Sequence, residues 1–295
     1  MKNCIFEGVG TALVTPFCGG CVDYVAFDLL IEKQLQAKVG AIIVLGTTGE
    51  PCTINEFERE QIIKYAIQKT NDKTKVIVGC GANSTALSQK YYVQAERLGA
   101  DGALIVTPYY NKCTQAGLIE HYKAIDAVGN LPMIVYNVPS RTGVNILPET
   151  MQKICKLKNV CGVKEASGNI AQILEYFRLV GKEVAIYSGE DSLNSVFMSL
   201  GGAGVISVAS NIIPEKICQL CELGKVAPSK MHELQLKLLP LISALFLEVN
   251  PIPVKAGLNY LKLCENELRL PLNQMSQNNF ETLKSELNKV LGLSE

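Results

Sequence analysis

The sequence predicts a (β/α)8 barrel with a C-terminal helical extension. Eight short runs rich in Val and Ile recur between residues 10 and 210, each followed by a turn cluster and a segment of helical spacing. The runs are apolar throughout rather than alternating, as strands covered on both faces are. Eight such units in roughly 220 residues is the count of a closed α/β barrel. The turn after the first run, TPFCGGCVD, carries neither GxGxxG nor a P-loop, so a doubly wound nucleotide-binding sheet is disfavoured.

The strands are expected in order at 10–17 (GTALVTPF), 41–46 (AIIVLG), 75–81 (KVIVGCG), 102–108 (GALIVTP), 132–138 (PMIVYNV), 160–166 (VCGVKEA), 184–190 (VAIYSGE) and 204–210 (GVISVAS). Between them lie helices such as 53–70 and 84–99. Thr53 with Glu56 reads as a capping box, and Pro148-Glu149 with upstream Asn145 as a weaker helix start. Leu98-Gly99 reads as a glycine stop. The cluster Gly201-Gly202-Ala203-Gly204 precedes a strand and reads as a tight turn into it. After about residue 225 the strand pattern stops, and three Pro-broken helices are expected. The organisation is therefore a barrel over 1–224 and a helical region over 225–295 packed on it.

The 295 residues carry 28 basic and 28 acidic side chains, and 48% are hydrophobic. That balance offers no basic field for nucleic acid or a membrane surface. No apolar stretch nears the roughly 18 residues of a membrane span, and the N-terminus MKNCIFEGVG lacks the apolar segment of a leader. Eleven cysteines in a chain of this size read as cytoplasmic thiols. Two CxxC pairs, Cys18-Cys21 and Cys218-Cys221, lie about 200 residues apart, which disfavours a four-thiolate zinc site. With two histidines and no HExxH, histidine-based metal hydrolysis has little material, and no metal or cofactor is expected. His121 reads as a solvated or capping residue on an amphipathic helix.

Chemistry in such barrels sits at the C-terminal ends of the strands. There the sequence places Gly46-Thr47-Thr48-Gly49-Glu50, Tyr109-Tyr110-Asn111, Tyr136-Asn137 followed by Pro139-Ser140-Arg141-Thr142, Lys164-Glu165, and Ser188-Gly189-Glu190. Lys164 interrupts an apolar strand. Pointing into the lumen, it would be desolvated, its pKa would fall, and a neutral amine would be available to form a Schiff base with a carbonyl. The structural alternative pairs it with Glu165 or Glu190. Tyr136, one strand away, is the first candidate proton carrier, with Thr47 and Tyr110 continuing a chain of hydroxyls. The GTTGE amides suit a carboxylate. Lys255 in NPIPVKAGL reads as structural, in the tail and away from the strand ends.

GTTGE at 46–50, TPYYNK at 107–112, YNVPSRTG at 136–143 and GVKEASGN at 162–169 occur in that order at strand ends. Together they resemble the 4-hydroxy-tetrahydrodipicolinate (dihydrodipicolinate) synthase family, within the pyruvate-dependent class I aldolases that include N-acetylneuraminate lyase. The resemblance spans roughly residues 5 to 260. It implies condensation of pyruvate with L-aspartate 4-semialdehyde, in diaminopimelate and lysine synthesis, without metal or cofactor. By the same resemblance Lys164 is the Schiff-base lysine, Tyr136 the proton shuttle and Thr47 the middle of the relay. Tyr110 would enter the neighbouring subunit's site, in a homotetramer built from tight dimers. Thr48 would hold the pyruvate carboxylate, Ile206 and Gly189 would contact pyruvate, and Arg141 would receive the semialdehyde's carboxylate. The rival is a sister lyase acting on N-acetylneuraminate or a 2-keto-3-deoxy sugar acid, which Arg141 argues against. Positions matching the family's lysine-inhibition site are Cys52, Glu56, Arg59, Asn83, Leu87 and Tyr109. Leu87 stands where a carboxylate is expected and Glu56 where a His is, so weak or absent lysine inhibition is expected.

Overall fold

A computed structural model describes residues 4–293. Its strands are β1 (Gly8–Ala12), β2 (Phe17–Cys18), β3 (Cys21–Val22), β4 (Ala41–Val44), β5 (Lys75–Gly79), β6 (Gly102–Val106), β7 (Met133–Asn137), β8 (Val160–Glu165), β9 (Ala185–Ser188) and β10 (Gly204–Ser207). Strands β4 to β10 and β1 close a parallel barrel, in which β1 pairs with both β4 and β10. The short strands β2 and β3 form a separate antiparallel hairpin. The expected first strand is thus shifted. It begins at Gly8 and ends at Ala12, and Phe17 belongs to the hairpin.

Two apolar clusters explain the closure. The inner one fills the lumen with residues such as Phe6, Ile43, Ile77, Leu104, Ile134, Tyr187 and Ile206. The larger outer one lies between the strands and the surrounding helices. Both faces of each strand are therefore buried, which is why the strands read as unbroken apolar runs. Phe6 plugs the floor. Its ring stacks on Tyr187 at 4.5 Å between centroids, and the Tyr187 hydroxyl donates to the Phe6 carbonyl at 2.8 Å.

Helix starts follow local side-chain chemistry. The second long helix runs Glu56–Thr70 and is capped by Asn55 with Glu58, not by Thr53 with Glu56. Thr53 closes a 3-10 turn instead, its hydroxyl donating to the Glu50 carbonyl at 3.1 Å. Such a reciprocal cap contributes about 1 kcal/mol. Helix Pro148–Ile154 starts on its proline without a side-chain cap. Asn145 serves elsewhere, donating to Gln172 Oε1 at 2.7 Å. Gly99, with φ +89°, ends helix Thr85–Arg97 as expected. Gly201, with φ +84°, turns the chain toward β10.

His121 is not solvated. It is 4% exposed, faces Thr85 Oγ1 at 2.9 Å through Nδ1, and burial pulls its pKa down to about 4. It is a neutral packing residue at pH 7, because its helix turns that face onto the helix before it. The helix after β10 runs Pro214–Val226, and Cys218 and Cys221 lie on it. Three helices follow, at Pro228–Ala244, Ile252–Tyr260 and Gln277–Leu291. The first packs on both Pro214–Val226 and Gln277–Leu291, which joins the tail to the barrel. Among the described residues no helix is long and apolar enough to cross a membrane.

Candidate active site

Period-two geometry places the lysine. On β8, past an irregularity between Val160 and Gly162, Val163 belongs to the outer cluster, so its neighbour Lys164 turns into the lumen and Glu165 turns out. Glu165 is fully buried among outer partners. It accepts from Asn137 Nδ2 at 2.9 Å and from the Ser167 amide at 2.7 Å. Asn137 also accepts from the Ile146 amide at 3.0 Å, which ties the loop after β7 to the barrel. The Lys164–Glu165 pairing considered from sequence is therefore not formed. Among the described residues, no carboxylate lies within ion-pair distance of Lys164.

Lys164 is 6% exposed. Burial is the main cause that pulls its pKa down to about 8, opposed by Asp191 and Glu190 and assisted by Arg141. Near pH 8 about half the amines are therefore neutral. In the β7–β8 register Lys164 is directly opposite Tyr136, and its Nζ lies 4.2 Å from the Tyr136 ring centroid. Burial pushes the Tyr136 phenol up to about 12, against the opposing effects of Arg141 and a hydrogen bond with Thr47. At neutral pH it is a protonated phenol beside an amine of which about a tenth is neutral, the arrangement needed for proton delivery.

The GTTGE segment is a 3-10 turn, Thr47–Gly49, that ends on Glu50 with φ +54°. Its Gly49 and Glu50 amides bond within the turn, to Gly46 and Thr47 carbonyls at 2.9 and 3.2 Å. The amides of Thr47 and Thr48 are then what the turn can offer a carboxylate. Thr48 Oγ1 accepts from Asn250 Nδ2 at 3.0 Å, and Arg141 Nη2 donates to the Asn250 carbonyl at 3.1 Å. Asn250 thereby couples the turn to the arginine on helix Pro139–Thr142. Arg141 is exposed at its end of this bridge.

Ile206 is a lumen residue, 2% exposed. Gly189 follows β9, where a Cβ would stand 2.9 Å from Lys164 Cε and 2.9 Å from the Ala166 methyl. Glycine at that position leaves room for the lysine stem. Lys164, Tyr136, Thr47, Ile206 and Gly189 are thus gathered at one end of the lumen, and Thr48 and Arg141 meet through Asn250. Tyr110 is not packed among them. It lies on the loop after β6, 90% exposed with φ +73°.

Two polar residues of the site went unread in the sequence. Asp191 is 3% exposed and accepts from the Val208 and Ala209 amides at 2.8 and 2.9 Å, and from Asn194 Nδ2 at 3.0 Å. It ties the loop after β9 to that after β10 and holds a negative charge toward Lys164. Its signal was an acid two residues past Gly189. Asn250 stood in a segment read as tail, with no local cue. Lys255 is structural as expected, but it is not remote from the strand ends. Its Nζ lies 2.5 Å from Glu50 Oε1 and donates to the Glu267 carbonyl at 2.9 Å.

A closed eight-stranded barrel with a desolvated lumen lysine and a facing phenol hydrogen-bonded to Thr47 defines a lyase of the class I aldolase type. A model of the dihydrodipicolinate synthetase family matches residues 5–290, and the chain belongs to that family. It is 52% identical to the 4-hydroxy-tetrahydrodipicolinate synthase of Alkaliphilus oremlandii over 288 residues, 97% of this chain and 99% of the relative. The crystal structure of the dihydrodipicolinate synthase of Thermotoga maritima superposes with a TM-score of 0.96 at 47% identity, covering 98% of this chain and all of that one. The Acinetobacter baumannii dihydrodipicolinate synthase complexed with pyruvate gives a TM-score of 0.95 at 37% identity, covering 98% and 99%.

Proposed function

We propose that this protein condenses pyruvate with L-aspartate 4-semialdehyde to give 4-hydroxy-tetrahydrodipicolinate, through a Schiff base on Lys164. The carrying observation is the buried Lys164 amine, without a carboxylate in ion-pair distance, directly opposite Tyr136. The relatives' names supply the substrates, and the pyruvate complex of the Acinetobacter baumannii enzyme supports the first of them.

The neutral Lys164 amine attacks the pyruvate ketone carbon. Tyr136 gives its proton to the departing hydroxyl, which leaves as water, and recovers one through Thr47. The iminium withdraws electrons from the neighbouring methyl, which loses a proton to give an enamine. The enamine carbon adds to the aldehyde, and the resulting alkoxide takes up a proton. The semialdehyde's amino group then attacks the imine carbon, closes the ring and releases Lys164. Thr48 and the turn amides hold the pyruvate carboxylate, Ile206 and Gly189 shape its pocket, and Arg141 receives the second carboxylate. Tyr110 completes the relay from a neighbouring subunit, in a homotetramer of tight dimers. Its exposure suits that role, since an aromatic ring 90% exposed on a strained loop has no packing function within its own chain. The reaction belongs to the cytoplasm, as eleven cysteines in a chain of this size suggest.

Initial rates with aspartate semialdehyde and, separately, N-acetylmannosamine as the aldehyde test the assignment. A rate with the semialdehyde alone supports it. A rate with the sugar alone keeps Lys164 and overturns the role of Arg141. Tyr136→Phe is expected to lower kcat by about 10²- to 10⁴-fold, the usual worth of a positioned acid–base group. Imine formation followed by borohydride trapping should slow in parallel. A loss in semialdehyde affinity alone would remove Tyr136 from the relay.

L-lysine is expected to half-inhibit only above about 1 mM, a binding free energy of roughly 4 kcal/mol. The Glu56 carboxylate is engaged by Lys90, and Leu87 offers no charge to an ammonium. Arg59 is buried, with Nη2 on the Gly79 carbonyl at 2.8 Å. Missing one charge-assisted partner costs a ligand about 1.5–3 kcal/mol. An inhibition series with pyruvate held near KM measures this.

A further inference from the structure

The hairpin β2–β3 takes no part in the chemistry above, yet it is built around two cysteines. Cys18 and Cys21 are register partners across a two-residue turn, Gly19-Gly20, with φ +60° and +81°. Positive φ at both central residues is what a type I′ hairpin turn requires. Alternation buries Phe17 completely and leaves both cysteines exposed on the other face. Directly opposite residues on one face have Cβ atoms about 4.5–5.5 Å apart, and a disulfide needs about 3.5–4.5 Å. A small adjustment of an exposed turn closes that gap.

The hairpin is also strapped to the active-site turn. Both Glu267 carboxylate oxygens accept from its tip, at 2.8 Å from the Gly19 amide and 2.7 Å from the Gly20 amide. Arg269 Nη2 donates to the Gly20 carbonyl at 2.7 Å. The same arginine gives its amide to Glu50 Oε2 at 3.2 Å and Nη1 to the Thr53 carbonyl at 2.8 Å. Phe17 lies beneath two cations, 4.0 Å from Lys255 Nζ and 4.3 Å from the Arg269 guanidinium. Arg269 thus connects the cysteine turn directly to Glu50, the last residue of GTTGE, and Lys255 connects Phe17 to it.

We propose that Cys18 and Cys21 form a redox-responsive site that closes by exchange with a small-molecule disulfide and reports its state, through Arg269 and Glu50, to the carboxylate-binding turn. One cysteine thiolate attacks the incoming disulfide, whose S–S bond breaks and releases one thiol, leaving a mixed disulfide. The second thiolate attacks the protein sulfur of that bond and releases the second thiol. The two cysteines lose two electrons, the small disulfide gains them, and the two cysteine protons end on the released thiols. The first half of this inference stands on the hairpin alone, and the effect on the turn rests on the pyruvate reading.

The test incubates the reduced full chain with glutathione and glutathione disulfide at several ratios, quenches by alkylation, and maps the products by mass spectrometry. A Cys18–Cys21 disulfide in the wild type, with Cys18→Ser halting at a glutathione adduct on Cys21, is the expected result. Stable glutathione adducts on wild-type Cys18 or Cys21, or no reaction at either, overturns the site. The oxidised wild type should show KM for pyruvate altered by about fivefold, the low end of coupling between sites. The change should reverse with dithiothreitol and be absent in Cys18→Ser. A disulfide that forms while KM stays constant overturns the coupling, and a chain inactive when fully reduced overturns the pyruvate reading instead.

Discussion

Lys164→Ala is expected to lower kcat/KM by about 10⁴- to 10⁶-fold, the scale of losing a covalent nucleophile. Borohydride with pyruvate should label the wild type at Lys164 and leave the variant unlabelled. The variant should still fold. Three methylenes lost from the lumen cost roughly 2–3 kcal/mol. Against that, the wild type bears the cost of an ammonium whose pKa falls from 10.5 to about 8 on burial, roughly 3 kcal/mol below pH 8. The two offset, so Tm should move by only a few degrees. The sign with pH is fixed by the same shift. The folded state binds fewer protons than the unfolded one, so wild-type stability should rise relative to the variant between about pH 8 and 10.5. Activity should rise through pH 8 for the same reason, because the neutral amine is the nucleophile. A labelled Lys164→Ala protein, or a rate falling as pH rises from 7 to 8, would remove Lys164 from the mechanism.

Lys255→Met is expected to be the most destabilising single change outside the lumen, by about 3–5 kcal/mol. The Lys255 and Glu50 side chains are 0% and 1% exposed, so the variant strands a buried carboxylate. Burial pulls the Lys255 pKa down, and the facing Glu50 charge opposes that. The cost corresponds to a fall in Tm of roughly 10 °C. Because Glu50 ends the GTTGE turn, KM for pyruvate should rise in the same variant. Adding Glu50→Gln removes the stranded charge and should restore part of the stability. Thermal denaturation of the two variants measures both effects, and an unchanged Tm in Lys255→Met would show the pair to be dispensable.

The chain sequence determined the barrel, because burial on both strand faces leaves unbroken apolar runs that local reading detects. Lys164 was legible for the same reason: one lysine inside VCGVKEA violates the pattern around it, and period two then sends it to one face or the other. Tyr136 and Thr47 were legible as hydroxyls at strand ends. Local pattern failed where a position depends on contacts distant along the chain. His121 looked like a residue of a polar helix face, and packing between two helices buried it. The capping box slid from Thr53–Glu56 to Asn55–Glu58, because a 3-10 turn took up Thr53 first.

Only the tertiary structure decided which charges neighbour which. Glu165 adjoins Lys164 in sequence yet faces outward, whereas Asp191, 27 positions away, sets part of the field at the amine. Asn250 and Lys255 reach the GTTGE turn from some 200 residues downstream, because the tail helix Ile252–Tyr260 packs against that end of the barrel. Sequence periodicity encodes which face of an element is buried, since that depends on neighbours within a few residues. It carries no record of which distant side chain supplies the compensating charge, and the electrostatics of this site are made of those compensations.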